Sequence, residues 1–218
     1  MMPDAETLYD VVEHTWPAAR EIPCGPLLLR EGQGGGKRVS AATAEHPNWT
    51  ANDIEKAESG MEKLGQSSLF MLREGESRLD DALDNRGYSI IDPVNMFCIP
   101  VGDLAKNVPP RVSTFAVWSP LAIGYDMWAQ QGIGPGRWAV MDRVNGPKTS
   151  ILGRWNDKPG GIAFVAVHDG IAMLHALEVL PHQRRQGLAE KMMAAASIWA
   201  QKNGATHMSV ICTAANDA

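Results

Sequence analysis

The sequence is poor in cysteine. Its 218 residues include only three, Cys24, Cys98 and Cys212, an odd number too widely spaced to form a CxxC pair. This pattern argues against a disulfide framework and against a zinc site built on thiolates, so the sequence predicts no metal centre. We expect the three cysteines to pack as small apolar residues.

Positive charge and long apolar runs are also scarce. The chain has 20 Lys and Arg against 25 Asp and Glu, a formal net charge of -5. Nucleic acids and anionic membranes attract proteins through a basic field, so we predict neither as a partner. The first residues, MMPDAE, lack the basic and apolar parts of a signal peptide, and the longest apolar stretch, residues 192–200, is too short to span a bilayer. These absences favour a cytoplasmic protein, and a homodimer is left open.

The sequence does contain enough apolar residues, 44% of the chain, to build sizeable cores. The consecutive prolines Pro109 and Pro110 break helix and strand alike. We therefore predict two α+β domains of similar size, residues 1–106 and residues 113–218, joined by a linker at residues 107–112.

The glycine-rich segment Glu31–Lys37 fits neither the P-loop pattern nor the dinucleotide-binding pattern. We interpret it as a loop between strands at residues 26–30 and 38–42. The other elements follow from helix caps, glycine stops and apolar periodicity. They are helices at residues 52–63, 77–85 and 120–131, strands at residues 88–99, 149–154, 162–167, 171–180 and 206–212, and a long helix after Gly187.

The densest positive charge lies between the strand at residues 171–180 and the helix that follows it, in the sequence LPHQRRQGLAEKM. Free backbone N–H groups at the start of a helix attract anions. Gly187 lets a phosphate approach the backbone, Ala189 is small, and Arg184 and Arg185 add positive charge. This arrangement predicts a turn that binds a diphosphate.

The segment Arg184–Ala189 resembles the R/Q-x-x-G-x-G/A signature of the Gcn5-related N-acetyltransferase family, in which this turn binds the pyrophosphate of acetyl-coenzyme A. Residues 177–181 are similar to the family's fourth strand and the bend before the signature, and Asn216 matches an asparagine common after the fifth strand. The resemblance covers residues 149–218 and extends loosely back to Ser113. It implies an α+β fold of the acyl-CoA N-acyltransferase type, with a mixed, mainly antiparallel sheet flanked by helices.

By the same resemblance, the chain binds acetyl-CoA and transfers the acetyl group to a primary amine, on a small molecule or a peptide, by direct attack on the thioester. The alternative is a non-catalytic module that binds and senses acyl-CoA. The implied coenzyme residues are Leu177, Glu178 and Val179 along the pantetheine arm, Arg184, Arg185, Gln186, Gly187, Leu188 and Ala189 at the diphosphate, and Asn216.

His175 is the predicted catalytic base. Regular alternation along the strand would place it on the same face as Met173, Leu177 and Val179, with Glu178 on the opposite face unless a bulge intervenes. The stretch Leu174–Val179 also resembles the arylalkylamine N-acetyltransferases, in which a histidine at the matching place serves proton removal. The alternative for His175 is a buried histidine with satisfied ring nitrogens.

The sequence departs from the family pattern after Asn216. The family continues with a helix whose tyrosine protonates the thiolate and then with closing strands, whereas the sequence given ends at Ala218. We therefore expect a truncated domain in which the strand at residues 206–212 lacks neighbours. Residues 79–88 resemble the family's closing helix and glycine-aromatic pair. Residues 1–106 are accordingly predicted to be a degenerate domain of this family or an unrelated α+β domain.

Overall fold

The computed structural model describes residues 2–216, which form two compact units. The first unit contains the chain up to Trp16, residues 94–134 and the chain from Val144 onward, and the second contains residues 17–93 and 135–143. The predicted boundary at residues 107–112 is therefore wrong, since segments from both predicted domains build the first unit. No helix in the described residues has the length and apolar character needed to cross a bilayer.

Helices and strands alternate along the described chain. The helices are α1 (Ala5–Thr15), α2 (Ala51–Lys63), α3 (Ser77–Asp84), α4 (Val101–Ala105), α5 (Ala122–Gln130), α6 (Pro135–Arg143) and α7 (Leu188–Lys202), with short 3-10 helices at Lys37–Val39 and Pro181–Gln183. The strands are β1 (Arg20–Cys24), β2 (Leu27–Glu31), β3 (Thr43–Ala44), β4 (Val94–Pro100), β5 (Thr114–Val117), β6 (Lys148–Trp155), β7 (Lys158–His168), β8 (Ile171–Val179) and β9 (His207–Thr213).

The first unit is built on a six-stranded sheet with the order β4-β9-β8-β7-β6-β5. Its strands pair antiparallel except β8 and β9, which are parallel. One face packs against α7 through residues such as Leu188 and Met192, and the other packs against α1 through Leu8 and Val11. Helices cover both faces of the central strands, so their apolar residues run almost continuously along the sequence. This mixed sheet flanked by helices confirms the predicted fold class.

The strand at the C-terminal end of the sheet has a neighbour on each side. β9 pairs with β8 on one side and with β4 on the other, where the register runs from Val94 opposite Thr213 to Pro100 opposite His207. The expectation that this strand lacks neighbours is therefore wrong. The strand predicted to close the first domain extends the sheet of the first unit instead.

The second unit contains the small antiparallel sheet β1-β2-β3. Its apolar residues pack with those of α2 and α3 around a core that includes Leu29, Ile54 and Leu83. Both helices occur where they were predicted. The strand predicted at residues 38–42 is wrong: this segment begins as a 3-10 helix, and β2 pairs with β1 instead. The expectation missed the turn at Gly25, where φ is +64°.

A polar cluster at the end of the helix pair predicts a pH effect on the stability of the second unit. Glu58 accepts hydrogen bonds from Arg86 Nη2 at 2.7 Å and from the Tyr88 hydroxyl at 2.9 Å. The bond to Arg86, followed by that to Tyr88, holds the pKa of the Glu58 carboxyl below its ordinary value of 4.5. The stabilisation is thus present above this value and is lost as pH falls through the folded-state pKa.

We expect Glu58→Gln to lower the free energy of unfolding near neutral pH by about 0.5–1 kcal/mol, the usual range for a partly exposed ion pair. The difference from the unsubstituted protein should shrink below pH 4.5. Urea unfolding at several pH values measures it. Glu62→Gln, an exposed position on the same helix, is the control, and an equal effect of the two substitutions would contradict the assignment.

Candidate functional site

The candidate site begins where the two parallel strands of the first unit separate. β8 and β9 pair from Ile171 opposite His207 to Leu174 opposite Val210. β8 then continues to Val179 and β9 to Thr213 without further pairing to each other in the described register. The backbone groups of β8 beyond Leu174 on this side therefore face the gap between the strands rather than a ladder.

A β-bulge interrupts β8 at this point. His175 lies opposite Phe164 and Glu178 lies opposite Ile162, so two residues of β8 match one residue of β7. Ala176 adopts a φ of +50°, and its carbonyl accepts a hydrogen bond from the indole N–H of the fully buried Trp128 at 2.8 Å. The bulge is thus fixed by a side chain from α5.

The bulge changes which residues share a face of the sheet. Leu177 and Val179 pack against the core under α7, together with Leu174. Because one extra residue reverses the alternation, His175 and Glu178 both belong to the opposite face. The prediction that His175 shares a face with Leu177 and Val179 is therefore wrong, and the bulge that would redirect Glu178 is present.

His175 is buried, with 6% of its surface exposed. Its Nε2 lies 2.9 Å from the Thr15 hydroxyl, which donates its own hydrogen to the Val11 carbonyl at 2.7 Å. Nε2 must then carry the proton and donate to Thr15, so any further proton would be accepted at Nδ1. The ring also lies against Trp16, with centroids 4.9 Å apart. These contacts show that His175 packs in the core of the first unit. Its catalytic role stays a prediction.

Glu178 and Arg184 meet at the end of β8. The Glu178 side chain is 27% exposed, and its Oε2 lies 3.9 Å from Arg184 Nη2. Arg184 Nε also donates to the Val179 carbonyl at 2.9 Å, and Nη2 donates to Gln131 at 3.3 Å. The guanidinium therefore folds back onto the strand, and the carboxylate beside it stays within reach of solvent.

The predicted anion-binding turn has two residues in the left-handed region. Arg185 has a φ of +60° and Gly187, the residue before α7, has a φ of +77°. No side chain of the described residues caps α7 at Gly187, so the first backbone N–H groups of the helix remain available to a ligand. Of the remaining predicted residues, Gln186 is exposed and Leu188 is buried in the core. Ala189 is half-buried.

A cavity of about 500 Å³ adjoins this turn. Its walls are the segment from Lys106 to Pro110 and, from the turn and the first part of α7, Gly187, Glu190, Lys191 and Ala194. The ammonium of Lys191 lies over the Trp155 ring at 4.0 Å. Two lysines thus stand near the start of the helix, and Lys106 comes directly before the segment, residues 107–112, that was predicted only as a linker.

Asn216 lies in the turn after β9, where its N–H donates to the Thr213 carbonyl at 2.9 Å. β8 and β9 are parallel, so Asn216 follows β9 at the same edge of the sheet as the end of β8. The structure therefore brings the predicted strand, turn and asparagine to one edge. Neither Trp128 nor the segment that begins at Lys106 was predicted as part of the site. For Trp128 the sequence shows only an aromatic residue within a predicted helix.

The bond from Trp128 to the bulge gives a direct test. Trp128→Phe keeps an aromatic ring but leaves the Ala176 carbonyl without its donor, which should lower the free energy of unfolding by about 1–3 kcal/mol. Thermal and urea unfolding measure the loss. Trp155→Phe is a matched control, because the Trp155 indole N–H is buried without a hydrogen-bond partner in the described residues. Equal losses for the two variants would show that the Trp128 bond is not important.

Comparison with known families finds a match in the C-terminal part of the chain. Residues 125–218 match the model of the acetyltransferase (GNAT) family, so this part of the chain is similar to that family. The resemblance drawn from the signature turn is thereby confirmed. The match supports acyl transfer in general.

Solved structures share the fold over most of the chain. A GCN5-related N-acetyltransferase from Kribbella flavida is similar over 100% of this chain and 90% of its own, with 19% identity and a TM-score of 0.66. A functionally unknown conserved protein from Staphylococcus epidermidis is similar over 91% of this chain and 85% of its own, with 13% identity and the same TM-score of 0.66. A GCN5-related N-acetyltransferase from Sphaerobacter thermophilus covers 88% and 70%, with 9% identity and a TM-score of 0.57. None of the curated proteins compared with the sequence matches it.

Proposed function

We propose that the protein is an N-acetyltransferase that takes the acetyl group from acetyl-CoA and transfers it to a primary amine. The observation that carries this proposal is the uncapped start of α7, which follows the signature turn beside the gap between β8 and β9. A helix start of this kind binds a diphosphate through backbone N–H groups and the helix dipole.

The coenzyme would lie along one edge of the sheet. Its pantetheine arm would follow the backbone from Leu177 to Val179, and its diphosphate would meet the N–H groups from Arg185 to Ala189. The nucleotide end would lie in the cavity beside Gly187, whose lining carries two positive charges, Lys106 and Lys191, and one negative charge, Glu190. For the pantetheine arm to reach the Val179 carbonyl, Arg184 must release that group.

The chemistry needs a base near the bulge. The substrate ammonium loses a proton to the base, and the amine nitrogen then attacks the acetyl carbonyl carbon. The bond from that carbon to sulfur breaks, and the proton that the attacking nitrogen gives up as the amide forms is taken up by the leaving thiolate. We assign Glu178 as the base, because its carboxylate is partly exposed to solvent, and His175, which is buried on the same face of the sheet, is the alternative. The acceptor is a primary amine on a small molecule or a peptide.

The experiment is amine-dependent release of free thiol. The purified chain is incubated with acetyl-CoA and a panel of small primary amines and lysine peptides, and coenzyme thiol is followed with a chromogenic disulfide. An acetyltransferase releases thiol only when an acceptor is present. Binding of acetyl-CoA without turnover for any amine would favour the acyl-CoA sensor, and absence of binding would contradict both functions.

A further inference from the structure

A second group of ionisable side chains lies at the opposite end of β8 from the coenzyme site. Asp10 and His14 are four residues apart on α1, and His168 ends β7 just before the turn into β8. All three belong to the first unit. Residues four apart share one side of a helix, so Asp10 and His14 face the strand end together.

The side chains of this cluster are in close contact. His14 Nδ1 lies 3.3 Å from Asp10 Oδ1, and His168 Nε2 lies 3.0 Å from Asp10 Oδ2. The two imidazole rings stack with centroids 3.8 Å apart and planes within 2°. Asp169 adds a carboxylate oxygen 3.7 Å from His168 Nε2. Two imidazoles and two carboxylates are thus concentrated in one partly exposed place.

The distances match the requirements of a metal ion. Ligand atoms bound to one tetrahedral zinc at about 2.0–2.1 Å stand about 3.3 Å apart. The Asp10 oxygens already lie at such distances from the ring nitrogens of His14 and His168, and the potential ligand atoms of the three residues all lie within 4.8 Å of one another. Imidazole and carboxylate ligands suit zinc and its neighbours in the first transition row.

We propose that Asp10, His14 and His168 bind a divalent transition-metal ion of the zinc class, with water completing the coordination. The stacked rings must tilt apart so that both nitrogens point at one ion, and their side-chain exposure, 53% for His14 and 25% for His168, leaves room for this rotation. If His14 binds through Nδ1, it gives up a 2.9 Å hydrogen bond to the Asp10 carbonyl.

The ion would fasten α1 to the end of β7. α1 also ends at Thr15, whose hydroxyl accepts the hydrogen bond from His175. Metal binding therefore stabilises the helix that supports the histidine beside the bulge, although no ligand of the ion is part of the coenzyme site. The site is structural and is independent of the proposed acetyltransferase activity.

The test is titration of the tag-free, metal-stripped protein with zinc chloride, by calorimetry and by thermal unfolding. We expect one zinc per chain, a rise in Tm with zinc, and at least a tenfold loss of affinity in His14→Gln and in His168→Gln (about 1.4 kcal/mol). Cobalt chloride serves as a spectroscopic probe, because tetrahedral coordination gives strong visible absorption that both variants should lose.

His46→Gln removes an exposed histidine outside the cluster and should bind zinc as the unsubstituted protein does. Circular dichroism verifies that each variant is folded. His14 is more exposed than His168, so we expect His14→Gln to disturb the fold less than His168→Gln. The proposal is overturned if the unsubstituted protein binds no stoichiometric zinc. It is equally overturned if folded His14→Gln and His168→Gln bind zinc as tightly as His46→Gln.

Discussion

Replacing Gly187 by valine is expected to abolish binding of acetyl-CoA, with an affinity loss of more than about 100-fold, or about 2.7 kcal/mol. Gly187 has a φ of +77°, a conformation that a β-branched residue adopts only with strain. An added Cβ would meet no described protein atom within 4 Å, so the side chain would enter the space where the diphosphate is proposed to lie. Calorimetric titration with acetyl-CoA measures the loss.

The opposite end of α7 offers a matched control for this variant. Gly204 also has a positive φ, +85°, and an added Cβ there would likewise meet nothing within 4 Å in the described residues. Gly204→Val therefore carries a similar backbone strain, about 1–2 kcal/mol, without entering the proposed coenzyme site. If both variants bind acetyl-CoA equally, whether with normal or with reduced affinity, the turn at Gly187 is not the diphosphate site.

Replacing Glu178 by glutamine should lower the rate of acetyl transfer by about 100-fold or more, the usual contribution of a general base. The amide keeps the size of the side chain and its place beside Arg184 but accepts no proton from the amine. Coenzyme affinity should change little, because the backbone of β8 is proposed to hold the pantetheine arm. Steady-state rates measured across a range of pH separate the loss of kcat from any change in KM.

His175→Gln distinguishes the two candidate bases. Glutamine can donate a hydrogen bond to the Thr15 hydroxyl as His175 does, so the fold should be kept. His175→Ala, in contrast, leaves a cavity and removes the donor to the Thr15 hydroxyl oxygen, and should cost about 2–4 kcal/mol of stability. With Glu178 as the base, His175→Gln retains its rate within a few fold. A large loss of rate in folded His175→Gln, with a normal rate in Glu178→Gln, would identify His175 as the base.

Much of the first unit could be predicted from local sequence signals. The strands around the Asp169-Gly170 turn, the helix after Gly187 and the strand that follows it all appear where apolar periodicity and turn residues indicated. The signature turn also predicted a helix start without a side-chain cap. These features depend on residues close together in sequence, which is why one sequence was enough to find them.

The features that were missed depend on contacts between distant segments. The bulge occurs at Ala176, an ordinary residue with a φ of +50°, and its carbonyl is held by Trp128 from another element. No local pattern indicates such a bulge, so His175 was assigned to the wrong face and apart from Glu178. The double proline at residues 109–110 predicted a linker. It gives no sign that the preceding strand, β4, pairs with β9 in the sheet of the first unit. A shared origin of residues 1–106 with the family stays a prediction.

The pairing of β4 with β9 has a consequence for how the chain folds as it is synthesised. Val94 leaves the ribosome long before its partner Thr213, so the pairing raises the contact order of the sheet, and the ladder between β4 and β9 closes only after β9 has emerged. Until then β4 is an unpaired strand, and Met96 and Cys98 lack the core contacts that they make in the folded protein. Nascent chains stalled before residue 207 should therefore be protease-sensitive and prone to association, and release of β9 should protect them.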